Sequence, residues 1–174
     1  RDYQVKIAFK HYFSEKDNFS DFTLLTTTRD EFVRKFGTPS TEKSIVEDTI
    51  NSDCVLLTYS WGEARFYMTE KGYILYAVET SSANMTGPRK TRIGMSETDV
   101  TSLYRDMGQA YNQDGSRSIY YDAGEKKFGM MYHLDAFNDR IDYIYYRADN
   151  GVVTLSYALE NGKVKKMAIR CDFY

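Results

Sequence analysis

The sequence predicts an α+β protein built from a helix-then-sheet unit that occurs twice. Residues 25–37 and 93–105 share one pattern: an apolar residue, a Thr or Ser cap, an acidic residue three positions after the cap, and a short amphipathic helix. Tyr-rich strands follow each copy and end in a hairpin turn, Glu70-Lys71-Gly72 or Glu160-Asn161-Gly162. Aromatic residues make up 16% of the chain, which favours sheet because their rings fit a pleated surface.

The first half is predicted to begin with a strand at residues 3–9, where apolar and polar residues alternate. A helix follows Thr28, because Thr28 and Glu31 match a capping box, and it ends at Gly37. Residues 40–53 are polar and show no clear period. Strands are then predicted near residues 54–60, 64–69 and 73–80.

The second half repeats this order after a Gly- and Pro-containing boundary at residues 84–90. Ser96 and Asp99 repeat the cap, and apolar residues at helical spacing continue to Met107, with Gly108 as the stop. Strands are predicted near residues 117–122, 127–134, 140–148, 152–159 and 163–171.

The second copy is the longer one. The caps Thr28 and Ser96 are 68 residues apart, whereas the turn residues Lys71 and Asn161 are 90 apart, which leaves 22 additional residues, enough for one more strand pair. We therefore divide the chain into an N-terminal strand and connection, a first unit and a longer second unit, at residues 1–21, 22–86 and 87–174.

The two final hairpins also differ by one position. Alternation places these residues of the last hairpin in the core: Leu155, Tyr157, Leu159, Met167 and Ile169. The equivalent set in the first half is Phe66, Met68, Ile74, Tyr76 and Val78. The one-residue offset predicts a β-bulge or a different turn length.

Composition and charge exclude several classes of protein. The net charge of −2, with both signs mixed along the chain, argues against nucleic-acid binding, which needs a cationic patch. The densest basic cluster is Lys163, Lys165, Lys166 and Arg170, which we interpret as a solvated edge strand. No apolar stretch approaches the roughly 20 residues that span a bilayer. The first residue is Arg1 rather than Met, which predicts a processed or trimmed product; a signal peptide or lipid anchor lost in this way would leave no trace in the sequence.

Residues that carry chemistry are few. The common catalytic signatures are absent, and His133 with Asp135 is the one base-and-acid pair to weigh against a polar residue that simply alternates out of a strand. Asp135, Asn138, Asp139 and Asp142 offer oxygen ligands but lack the spacing of a calcium loop, so a solvated hairpin tip is favoured. We predict no metal and no cofactor.

The cysteines leave two alternatives open. Cys54 and Cys171 both lie in apolar strand contexts, where a reduced, buried thiol is common. Pairing in an oxidising compartment is the less favoured alternative.

Adjacent aromatic residues provide the candidate binding surface. Neighbouring residues of a strand point to opposite faces of the sheet. One ring of each adjacent pair must therefore lie on the face away from the helices, and the pairs are Phe66–Tyr67, Tyr120–Tyr121 and Tyr145–Tyr146. Tyr is enriched at protein-binding hot spots. The predicted binding residues are Tyr59, Trp61, Tyr67, Tyr120, Tyr121 and Tyr146. The alternative is that both faces are covered, or that the rings only shield the sheet.

The repeated pattern resembles a known family. Ile93–Val100, and more loosely Leu25–Phe36, resemble the helix opening of the β-lactamase-inhibitor-protein-like (BLIP-like) repeat and of the related small outer-membrane lipoproteins (OmlA/SmpA). The resemblance implies tandem helix-plus-antiparallel-sheet units whose sheets join into one curved surface. It also implies a protein that is secreted or anchored in the bacterial cell envelope and that binds other proteins.

These observations together predict a non-catalytic, extracytoplasmic protein-binding module that uses an aromatic sheet face. We expect no nucleic acid among its partners, and contact with a membrane only through a lipid anchor lost in processing. The alternatives are a module that holds a peptide or sugar against stacked tyrosines and, less favoured, a hydrolase that uses His133.

Overall fold

The computed structural model describes residues 11–174, so the strand predicted at residues 3–9 lies outside the described part of the chain. The helices are α1 (Arg29–Phe36) and α2 (Glu97–Thr101), with a 3₁₀ turn at Pro88–Lys90. The strands are β1 (Thr41–Ile45), β2 (Cys54–Tyr59), β3 (Gly62–Thr69), β4 (Gly72–Thr80), β5 (Ser116–Asp122), β6 (Lys127–His133), β7 (Asp139–Tyr146), β8 (Gly151–Glu160) and β9 (Lys163–Phe173).

All these strands belong to one antiparallel sheet of nine strands, in the order β1-β2-β3-β4-β9-β8-β7-β6-β5. Strands β1 to β4 form one meander and β5 to β9 another, and the two meet where β4 pairs with β9 through Ala77–Thr80 and Met167–Arg170. Short connections suffice throughout each meander because its consecutive strands are neighbours.

The predicted fold class of two helix-plus-sheet units is wrong. The described chain has a single continuous sheet, and its α-helices are only 8 and 5 residues long. Segments without regular secondary structure supply much of the layer that packs on the sheet. Their buried side chains include Phe13, Phe22, Met85 and Tyr104. Two such short helices bury too little apolar surface to form a helical layer by themselves.

The two helix starts follow the predicted caps, but the second helix stops early. Thr28 and Glu31 form the capping box of α1, whereas α2 ends at Thr101 rather than near Gly108. The hydroxyl of Thr101 donates to Glu97 O, and other hydroxyl and Arg groups also bind backbone carbonyls in this region. Such bonds compete with helix continuation. Beyond the helix, Tyr104 is held in the core by its 2.8 Å hydroxyl contact with Tyr157.

Eight of the nine strands match the predictions to within a few residues, and β1 was missed. Residues of β1 are mostly exposed and form the edge of the sheet, so they carry no apolar alternation. The predicted bulge is confirmed, with register shifts at Arg65/Phe66 and at Ala158/Leu159. The core residues predicted for the last hairpin are buried, but in the first half Met68 is exposed.

The sheet has two faces, which we name by their surroundings. The core face carries residues such as Phe66, Tyr145 and Leu155 and packs against Phe32 of α1 and Val100 of α2 within one buried cluster. The opposite face is the outer face. In β8, and in β7 from Arg140 onward, buried residues alternate with partly or fully exposed ones, so each strand divides between the two faces.

The basic cluster and the two cysteines both lie within the sheet. The basic cluster is not an edge strand, because β9 lies in the middle of the sheet, where Lys166 pairs with Glu79 and Arg170 with Glu47 and Asp172. Cys54 and Cys171 are both buried and unpaired, as favoured from the sequence. Over residues 11–174 none of the helices has the length and apolar character needed to cross a bilayer.

Candidate functional site

The adjacent aromatic pairs divide between the faces as alternation predicts. Phe66, Tyr120 and Tyr145 are buried in the core cluster. Their neighbours Tyr67, Tyr121 and Tyr146 point to the other side, and Tyr121 and Tyr146 are 71% and 41% exposed. The parity argument is therefore confirmed for all three pairs.

Three of the six predicted binding residues belong to the core side instead. Tyr59 is buried, and Trp61 stacks on it with a centroid distance of 4.8 Å. Trp61 also contacts Phe32 and Phe36 of α1, so the turn between β2 and β3 folds toward the helix. Tyr120 is buried too, where its hydroxyl accepts a hydrogen bond from Phe13 N. Sequence spacing placed these rings on strands and a turn but did not show that helical and irregular segments cover them.

The outer face carries a line of touching rings, which we call the aromatic row: Tyr121, Phe128, Tyr146 and Tyr174. The successive ring centroids are 4.9, 5.8 and 6.4 Å apart. Tyr174 is 66% exposed, and Phe128 is half-buried. Phe128 and Tyr174 were not predicted from the sequence. Pairing the predicted strands would have revealed Phe128, because its neighbours across the sheet are Tyr121 and Ile144.

The outer face around the row is open and partly apolar. Ile144 pairs with Phe128, and Val152 pairs with Tyr146. Every outer-face side chain of β7 and β8 is at least partly exposed, and the same holds for Phe128, Met130 and Tyr132 of β6. Contiguous exposed apolar surface of this kind is typical of interaction sites.

Several charged residues near the row are paired within the chain. Three arginines each bind the aspartate two residues later, at N–O distances of 3.0, 2.9 and 2.7 Å: Arg140–Asp142, Arg147–Asp149 and Arg170–Asp172. In β7 and β9, positions two apart share a face, so the first and third of these pairs lie side by side on the sheet, whereas Arg147 and Asp149 lie in the turn after β7. The rim of the row is therefore polar but close to neutral.

The outer face of the first half is covered. The connection Val46–Asp53 between β1 and β2 crosses it, and Glu47 of this connection binds both Arg65 and Arg170, with a distance of 2.9 Å to Arg65. Beneath it lie Cys54 and Tyr76, both buried. Tyr67, the remaining predicted residue, is half-buried here and contacts Tyr76 and Phe173 rather than the aromatic row.

Tyr76 shows how far this cover excludes water. Burial, together with the negative charge of Glu47, raises the pKa of its phenol well above the ordinary value. Tyr76 is also the extra residue of the bulge opposite Arg65 and Phe66, which is why it turns to the outer face although alternation had assigned it to the core.

His133 does not have a free ring nitrogen. Its Nδ1 lies 2.6 Å from Asp139 Oδ1 and its Nε2 lies 3.0 Å from Glu97 Oε1. The predicted partner Asp135 instead accepts hydrogen bonds from Asn138 and from Phe137 N, in the turn between β6 and β7. A general base needs a nitrogen open to substrate, so this arrangement gives no support to a hydrolase.

The oxygen ligands considered for calcium are also engaged. Asp135 binds Asn138, Asp139 binds His133, and Asp142 binds Arg140 and Ser156. Within residues 11–174 no group of three or more His, Cys, Asp or Glu side chains is arranged to hold a metal ion.

Four cavities of the described structure are lined by residues outside the aromatic row. The largest, about 700 Å³, is a polar groove beside Tyr12, Arg105 and Lys127. A more apolar cavity of about 370 Å³ lies between the β1–β2 connection and Tyr67, Met68 and Phe173. Two smaller ones, about 140 and 230 Å³, adjoin the β4–β9 pairing and the start of α1.

Comparisons with known proteins give one distant neighbour. No family model matches the chain. No curated protein matches it either. Among solved structures it is similar to a DUF4309 family protein (YjgB) of Bacillus subtilis, at 11% identity and a TM-score of 0.39, over 91% of this chain and 90% of that one. The resemblance to the BLIP-like and OmlA/SmpA families therefore stays a prediction.

Proposed function

We propose that this protein is a non-catalytic binding module that holds another protein against the outer face of β5 to β8. The observation that carries the proposal is the aromatic row, whose four rings contact one another in order while Tyr121 and Tyr174 remain largely exposed and Tyr146 partly so. Tyr and Phe supply large contact area at low cost in side-chain entropy, which is why they are common in interface centres.

The charges favour a particular kind of partner. Because the three arginines near the row are already bound to aspartates of the same chain, they are less available to phosphates or to acidic headgroups. An apolar centre inside a neutral polar rim is complementary to a protein surface of the same character. The proposed partner therefore presents apolar side chains with few charges around them.

The same surface favours a protein over a small ligand. Pockets for small molecules are concave and enclose most of their ligand. None of the four cavities is lined by Tyr121, Phe128, Tyr146 or Tyr174. The bound state of both His133 nitrogens likewise supports a non-catalytic role.

The proposed location is extracytoplasmic, either secreted or anchored at the bacterial cell envelope as a lipoprotein. It rests on the resemblance of Ile93–Val100 and Leu25–Phe36 to secreted and envelope proteins. Fractionation of cells that express the natural gene product tests this part: recovery in the cytoplasm alone would exclude it.

The binding proposal is tested with a displayed library of random peptides selected on the wild-type protein. We expect enriched peptides to be apolar and to lose about 30-fold or more in affinity for the double variant Tyr121→Ser/Tyr146→Ser, as for a hot spot of about 2 kcal/mol. The matched control is Phe137→Ser, which removes an aromatic ring that is 94% exposed but lies outside the row. Peptides that bind the double variant as well as the wild type, or a selection that enriches none, would refute the proposal.

A further inference from the structure

His133 lies where three parts of the fold meet. It is the last residue of β6 and pairs with Asp139 at the start of β7. Its ring also contacts Glu97 in the first turn of α2 and Tyr111 in the connection between α2 and β5, with a centroid distance of 5.1 Å to the Tyr111 ring. The state of this one side chain therefore affects how these parts are joined.

The contacts of the ring suit only its charged form. Both nitrogens face carboxylate oxygens, at 2.6 Å for Asp139 and 3.0 Å for Glu97. A neutral imidazole carries one N–H, whereas an imidazolium carries two, and a carboxylate can only accept. Both hydrogen bonds can therefore form together only when His133 is protonated.

We propose that His133 is a pH-sensitive clasp, which when protonated holds α2 and the connection after it against the β6–β7 hairpin and which loosens when the proton leaves. On deprotonation one carboxylate faces a ring nitrogen without a hydrogen, and the cluster loses its positive charge. The 3.0 Å contact with Glu97 is the longer of the two, so the α2 side is the side released.

The released segment matters because it covers an edge of the sheet. Tyr111 donates to Glu97, and the amides of Met107 and Asn112 each donate to a carbonyl of β5 at 2.7 Å. Strand β5 is the edge strand that carries Tyr121. Loosening the clasp exposes backbone groups beside the aromatic row, where a partner can pair with them. This link to binding rests on the proposed function, but the clasp itself does not.

The surrounding charges set the direction of the pH dependence. Besides Glu97 and Asp139, the facing groups are the Tyr111 phenol and, behind it, Arg117 of β5, which is 5.8 Å from the Tyr111 ring and is paired with an aspartate. Burial opposes the charged imidazole, but the two carboxylates outweigh it and raise the pKa of His133 above the ordinary 6.5. The clasp is therefore complete below pH 6.5 and is lost as the pH rises through the higher folded value.

Nuclear magnetic resonance of the whole chain tests the clasp. We expect the His133 ring to titrate with a midpoint above 6.5, and the midpoint to fall in Glu97→Gln but to change much less in the matched control Asp99→Asn, an exposed acid of the same helical turn. A wild-type midpoint at or below 6.5, or equal effects of the two variants, would overturn the proposal.

Amide hydrogen exchange provides the second measurement. Relative to β8 amides at the same pH, the protection of Met107 and Asn112 should fall as the pH passes the His133 midpoint. In His133→Gln it should be low at every pH. Protection that does not follow the titration would show that the ring is only a packing residue, and if His133→Gln does not fold, the Glu97→Gln variant decides the same question.

Discussion

The outer face of the sheet has two unlike halves. Over β2 to β4 the connection Val46–Asp53 covers it, and Cys54 and Tyr76 beneath are buried. Over β6 to β8 the same face stays partly exposed and carries the aromatic row. The comparison shows that alternation assigns a side chain to a face, whereas a covering segment decides whether that face becomes interior or surface.

The cover depends on a few contacts. Val46 is exposed and Ile50 is only partly buried, so the connection buries little apolar surface. Its polar anchor is Glu47, which is nearly buried and binds Arg65 and Arg170. If these ion pairs hold the connection in place, removing them should expose the outer face of the first half of the sheet and make it more like that of the second half.

The largest expected effect comes from Tyr76, because its ring is fully buried under the connection. We expect Tyr76→Ala to lower the free energy of unfolding by about 3 to 5 kcal/mol, the usual cost of truncating a buried aromatic residue. Tyr146→Ala, on the open half of the same face, should cost less than about 1 kcal/mol. Urea unfolding measures both. Equal losses would show that the two halves are covered alike.

A smaller effect is expected at the anchor. Glu47→Gln removes the charge shared by Arg65 and Arg170, each of which keeps one acidic neighbour. The loss should be about 1 to 2 kcal/mol, between the values for exposed and for buried ion pairs. Glu160→Gln, which breaks the exposed 3.7 Å pair with Lys165, is the control and should change stability by less than about 0.5 kcal/mol. Urea unfolding that finds no difference between the two variants would contradict this role of Glu47.

The finest test uses the two buried thiols. Cys54 lies under the connection, whereas Cys171 belongs to the core cluster, where burial raises the pKa of its thiol to about 12. In Glu47→Gln we expect a thiol reagent to label Cys54 several-fold faster than in the wild type, about tenfold for each 1.4 kcal/mol by which opening becomes easier. Cys171 should label at an unchanged rate. Mass spectrometry after proteolysis distinguishes the two, and acceleration at both would indicate global rather than local opening.

Local pattern was sufficient for most of the secondary structure and insufficient where the chain folds back on itself. The hairpin at Glu160-Asn161-Gly162 was predictable because Asn161 and Gly162 tolerate the positive φ values of 53° and 74° that the turn requires. Strand β1 was not predictable, because it has no buried apolar face that would show as alternation in the sequence and it forms by pairing with β2. The length of α2 was overestimated. Tyr104, one of the apolar residues that suggested a longer helix, lies beyond its end and contacts Tyr157 in the core.

The candidate site was predictable to a similar extent. Parity correctly separated Tyr121 and Tyr146 from their buried neighbours, since it depends only on the alternation of strands. It did not place Tyr59 or Trp61, because Trp61 lies in a turn and both rings pack toward α1. Phe128 joins the row through the pairing of β5 with β6, which sets it beside Tyr121, and Tyr174 joins it from beyond the end of β9 by contacting Tyr146 of β7.

By itself the sequence determined the strands other than β1, the hairpin turns and the opposite orientation of adjacent rings, because these depend on neighbouring residues and on the geometry of the extended chain. Only the tertiary structure decided that the two meanders form one sheet, and that one half of its outer face is covered. The anchor of that cover joins Glu47 to Arg170, 123 residues away, and no local pattern records a contact over such a distance.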